Sequence, residues 1–222
     1  MLTTGLYGRK DLSRVGVGAP LKSIPMIRAL LLIFDGSRTW ERIKLTRPGV
    51  ARISFLFLLP LLVLTFGAEY AGLVRLGAER GALGSVTAVP EPLALQYVLV
   101  YAAGMLLLLY LGSFILQKIG ASFHRRHSYT ECFTTLTYSL SPLLLMRIAD
   151  AFPQVPTWVC YGVGIFLAVS ILYRGIPTVM KPDPSNALGL FMFCSFLLIA
   201  ATGLLHFLAT QVLEERIRLP MP

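Results

Sequence analysis

Charge is what this sequence has least of. Only 14 % of its 222 residues are Asp, Glu, Lys or Arg, while 55 % are apolar and the mean hydropathy is +0.70. Soluble chains carry about 25 % charged residues, because a domain of this size has to cover its surface with groups that water solvates. The shortage excludes a soluble enzyme and a disordered tail. Cysteine is scarce too: Cys132, Cys160 and Cys194 stand far apart in or beside apolar runs, so neither a disulfide framework nor a metal ribbon is expected. Catalytic signatures are missing. There is no Gly-rich phosphate loop ending in Lys-Ser or Lys-Thr, no His-Glu-x-x-His, no Gly-x-Ser-x-Gly elbow and no pair of carboxylates placed for acid and base work. The chain is therefore expected to be no enzyme and to need no cofactor. The first residues lack the apolar core of a signal peptide, so no cleavage is expected there.

What is present is a series of long uncharged runs. Five of them, at about 53–73, 93–119, 133–152, 157–173 and 188–211, approach the roughly 20 residues that cross a hydrocarbon core of about 30 Å. They predict an all-α fold, a polytopic membrane bundle of five transmembrane helices. Residues 1–52 form a basic N-terminal segment ahead of the spanning domain at 53–211, and 212–222 form a short tail. Glu69 lies near the end of the first run, and the fourth run, short as it stands, extends toward Met180 if Pro177 bends it. Pro60, Pro142 and Pro177 suit bends or helix ends. Between Ile24 and Leu45 apolar residues mix with Arg28, Arg38, Arg42 and Lys44 around Trp40. That pattern suits an interfacial amphipathic helix, broken at Asp35-Gly36-Ser37 with Ser37 as a cap, or equally a short helix packed on the cytoplasmic loops.

The net charge of +9 would suggest nucleic acid in a soluble protein, but its placement points to lipid. Ten cations precede Ile53, and counting by loop gives fifteen Lys or Arg on that side of the bundle against four on the other. Cations in short loops resist translocation, which places the N-terminus in the cytoplasm and the C-terminus outside. The same cations would meet anionic headgroups, and no nucleic-acid partner is expected.

Several segments carry a family resemblance. Asp35-Gly36-Ser37-Arg38-Thr39-Trp40-Glu41-Arg42-Ile43, then Leu59-Pro60-Leu61, then Tyr138-Ser139-Leu140-Ser141-Pro142, then Leu172-Tyr173-Arg174-Gly175-Ile176-Pro177-Thr178-Val179-Met180-Lys181, and finally Asn186-Ala187-Leu188 follow one another. Their order and spacing resemble bacterial members of the YIP family, small five-span proteins named after yeast proteins that interact with Ypt/Rab GTPases. The resemblance marks Trp40, Tyr138, Pro142, Tyr173, Gly175, Pro177 and Lys181 as structural motif positions. It implies a non-enzymatic scaffold or adaptor in a bacterial inner membrane, binding other integral membrane proteins or organising the bilayer. Eukaryotic relatives carry an Asp-Leu-Tyr-Gly motif in a longer N-terminal segment; here Gly5-Leu6-Tyr7-Gly8 retains a fragment of it.

A few residues stand out without the family. Arg147 and Asp150, three apart, share a helical face near the outer end of the third run. They form either a candidate intramembrane polar pair, the seam of a small channel or transporter, or an arginine that snorkels outward beside a boundary carboxylate. Five spans do not divide into the two equivalent halves common in secondary transporters. Cys160, Gly164 and Ala168 make a small-residue stripe, a helix-packing face that serves the bundle itself or a homo-oligomer. His124 and His127 flank Arg125 and Arg126 near Glu131 and Cys132; two cations between the histidines oppose a metal, and the loop is expected to meet headgroups. His206 stands alone in the fifth run and is expected to be a hydrogen-bonded packing residue.

Overall fold

The computed structural model describes residues 36–46, 48–80, 85–122, 127–182 and 186–214. Outside them lie most of the basic N-terminal segment, including the first part of the expected amphipathic stretch, the loop holding His124, Arg125 and Arg126, and most of the C-terminal tail.

Helix α1 covers Gly36–Thr46, so Ser37 falls in its first turn and not ahead of it. Helix α2 runs Val50–Arg75, α3 Glu91–Ser122, α4 Tyr129–Asp150, α5 Thr157–Gly175 with a wider turn continuing over Ile176–Met180, and α6 Ala187–Leu213. The link from α2 to α3 carries a small antiparallel ribbon, β1 (Ala78–Arg80) beside β2 (Ser85–Thr87), which the hydropathy pattern did not reveal. Among the described residues the regular structure is otherwise helical.

Four of these helices, α2, α3, α5 and α6, are long and apolar enough to cross a membrane. Their outward sides present Phe55, Val63, Leu107, Phe166, Phe196 and Phe207. Each such side chain left in water forgoes about 1.5–3 kcal/mol of burial, so a belt of them on all four helices implies that lipid is the surrounding solvent. Helix α4 differs. At 22 residues it is about 33 Å long, enough to span, yet Thr134, Thr135, Thr137, Ser139 and Ser141 lower its hydropathy. Every residue from Cys132 to Leu144 is buried, because α2, α3 and α5 pack around it. It is the axis of the bundle and meets protein where the other four meet lipid, while α6 leans mainly on α3.

The helix ends and breaks follow from local chemistry. Helix α4 opens on a capping box: the Glu131 amide donates to Ser128 Oγ at 3.2 Å, and the Ser128 amide donates to Glu131 Oε2 at 3.0 Å. Within it, Pro142 lacks the amide that would reach the Tyr138 carbonyl, and the Ser141 hydroxyl donates there instead at 2.7 Å. Pro60 follows a π-helical turn at Ser54–Leu58, and Pro177 lies inside the one at Ile176–Met180. A widened turn relieves the ring clash that a proline brings to a regular helix. The second turn closes on Lys181, in the left-handed conformation at φ 48°.

Candidate functional site

Two assemblies occupy opposite ends of the bundle. At the end shared by the N-terminus of α4 and the C-terminus of α5, helix α1 is held by Trp40, which is fully buried. Its indole stands edge-on to Tyr138 at 6.2 Å, and Phe57 lies against Tyr138 at 4.5 Å. Gly175 makes this possible: a Cβ there would come within 2.6 Å of Trp40 Cζ2. Ile43 is buried as well, whereas Leu45 is exposed. Over its described residues, then, this helix packs on the bundle end through Trp40 and Ile43. Of the other motif positions, Tyr173 is exposed and meets Phe191 edge-on at 5.1 Å, and Pro142, Pro177 and Lys181 shape the backbone as described.

At the opposite end Arg147 is buried at 4 % exposure, which overturns the snorkelling alternative. Its guanidinium Nε donates to Glu69 Oε2 at 3.1 Å, Nη2 bonds Glu69 Oε1 and also the Tyr97 hydroxyl at 2.7 Å, and the guanidinium carbon lies 3.9 Å above the Tyr101 ring. Asp150 is the more distant neighbour, with Oδ2 3.8 Å from Nη2 and Oδ1 without a hydrogen-bond partner. The pair read from the sequence is thus part of a larger network drawn from α2, α3 and α4. Glu69, which stands out in the sequence only as a charge near the end of its run, completes it with Tyr97 and Tyr101. A usable signal existed, since Glu69 and Arg147 are opposite charges at matching depth toward the same end of two spans.

Beside this network lies a cavity of about 720 Å³, bordered by Glu69, Tyr97, Asp150, Trp158, Tyr161 and His206 among others. His206 packs as expected, stacked on Tyr161 at 5.8 Å and edge-on to Tyr101 at 6.4 Å, but its Nδ1 has no hydrogen-bond partner. That corrects the expectation of a hydrogen-bonded histidine at this atom.

The small-residue stripe is turned inward. Cys160, Gly164 and Ala168 are buried, and a Cβ on Gly164 would lie 3.0 Å from Leu143 Cα. Helix α4 occupies this face, so it is not available to a second copy. Glu131 serves the α4 cap, and the His127 ring lies against Gly120.

The Yip1 domain family model matches residues 30–205 of the chain. No curated protein and no solved structure matches it.

Proposed function

The chain belongs to the Yip1 domain family, and from that premise we propose that this multi-pass membrane protein is a non-enzymatic adaptor that binds other integral membrane proteins or organises the bilayer around them. The observation that carries the reading is the docking of α1 through Trp40 onto Tyr138 and Gly175. It fixes a short charged helix, with Glu41, Arg42 and Leu45 exposed, on the rigid end of a spanning bundle. A fixed polar ledge at headgroup level is suited to holding a partner or anionic lipid. A channel or transporter seam at Arg147 and Asp150 fares less well. Arg147 already has a carboxylate, a hydroxyl and an aromatic ring as partners, and buried Leu140, Leu143 and Leu144 fill α4 between it and the other end.

The charge bias supports the N-terminus in the cytoplasm and the C-terminus outside, and the resemblance to bacterial members of the family supports a bacterial inner membrane. A C-terminal fluorescent protein that matures only in the cytoplasm is expected to stay dark, and a bright fusion would reverse the orientation. For the adaptor itself, the test is crosslinking in native membranes followed by gentle purification. A reproducible partner lost on Trp40→Ala is expected. Solute flux in liposomes holding the purified protein alone, with no partner recovered, would favour the transporter.

A further inference from the structure

We propose that the cavity beside Asp150 is a binding site for a primary ammonium group, and that its occupant is the phosphoethanolamine headgroup of an aminophospholipid. Charge comes first. Glu69 and Asp150 bring two formal negative charges to the network and Arg147 one positive, a balance of one negative among largely buried groups. Arg147 spends its short contacts on Glu69 and Tyr97, which leaves Asp150 with only the 3.8 Å approach. The Asp150 side chain is 8 % exposed, its Oδ1 lacks a partner, and the residue borders the cavity. A carboxylate held at this depth without a full partner is costly, and a cation entering the cavity relieves that cost.

The kind of cation follows from the walls. Calcium or magnesium takes six or more oxygen ligands, and among the described residues no three of His, Cys, Asp and Glu gather in one place. The space, about 720 Å³, also far exceeds a bare ion. An organic ammonium suits it better: it needs one carboxylate oxygen, and the aromatic residues Tyr161 and Trp158 border the same space. The same cavity reaches Thr157 and Trp158, the first turn of the 19-residue helix α5, whose amides have no side-chain cap. That positive helix end suits the phosphate of the same headgroup. Trp158, which borders the cavity, stands exposed, and aromatic side chains of this kind collect at the level of lipid headgroups. A zwitterion with ammonium and phosphate at its two ends matches this arrangement from a lipid already in the bilayer.

The full-length protein, delipidated in mild detergent, would be offered equal amounts of phosphatidylethanolamine, phosphatidylcholine and phosphatidylglycerol with the same acyl chains, and retained lipid counted by native mass spectrometry. Phosphatidylethanolamine is expected to be preferred over phosphatidylglycerol by about tenfold, the worth of one charge-assisted hydrogen bond, and over its trimethylated relative, which has no N–H to donate. Asp150→Asn is expected to remove the preference. A second arm adds free phosphoethanolamine to the loaded protein. Displacement would show that a soluble ammonium compound fills the site, and resistance to displacement that the lipid does; both support an ammonium site. Equal retention of the three lipids by the wild-type chain, a comparison that needs no variant to fold, would overturn the proposal, as would a preference unchanged in Asp150→Asn.

Discussion

Replacing Arg147 with leucine strands two carboxylates inside the bundle, Glu69 at 3 % exposure and Asp150 beside it. Breaking a buried ion pair by removing one partner costs about 3–5 kcal/mol, since the survivor keeps its desolvation penalty without its counter-charge. Glu69→Leu should cost less, about 2–3 kcal/mol, because the guanidinium retains the Tyr97 hydroxyl at 2.7 Å and the Tyr101 ring, and Asp150 is close enough to move in. The double replacement leaves neither charge of the pair behind, so its loss should fall short of the sum of the singles by about 2–3 kcal/mol. Helices unfolded in a micelle find other polar partners, which draws all these values toward the low end. Unfolding in mixed detergent and SDS micelles, followed by the fluorescence of Trp40 and Trp158 at the two ends of the bundle, measures the cycle. Additive losses, with coupling below about 0.5 kcal/mol, would refute the account of Glu69 and Arg147 as mutual partners.

Three further outcomes follow from the packing. Gly175→Ala forces a methyl into the Trp40 indole, and overpacking of this kind costs about 1–3 kcal/mol; the loss should appear as faster proteolysis at Arg42 and Lys44 with the spanning helices intact. Ser141→Ala leaves the Tyr138 carbonyl without its donor beside Pro142 and should cost about 1–3 kcal/mol, whereas in a Pro142→Ala background, where an amide again reaches that carbonyl, the same change should cost little, as read by thermal unfolding. Cys160, buried against α4, should react with maleimide at least about tenfold more slowly than an exposed engineered cysteine and should give no crosslinked dimer in membranes; a dimer through Cys160 would contradict its inward placement.

Composition revealed those parts of the fold that face lipid, and for a physical reason. Helices α2, α3, α5 and α6 must be apolar on their outer sides whatever they do inside, so a hydropathy window finds them. Contacts between distant segments leave no such trace. Arg147 and Asp150 were legible as a pair because three residues along a helix is one face, but Glu69, 78 positions away, makes the shorter contacts. Trp40, Tyr138 and Gly175 could be marked as motif positions, while their convergence on one small cluster depends on three helices meeting.

Helix α4 joins these observations. Its surroundings are protein on all sides from Cys132 to Leu144, so the pressure toward leucine that acts on a lipid-facing helix does not act on it. Threonine and serine hydroxyls can bond back to the helix's own carbonyls, as Thr134 does to Thr130 at 2.6 Å and Thr135 to Glu131 at 2.9 Å, which makes a polar sequence tolerable there. The same shielding lets α4 carry an arginine at its far end, since neighbouring helices supply the carboxylate, hydroxyl and ring that lipid could not. Low hydropathy in this one span and a buried charge at its end therefore have one cause. Polar residues gathered in one span of an otherwise apolar bundle mark that span as the axis, and the charges on the outer helices at the depth of its own charged residues are the first candidates for its partners.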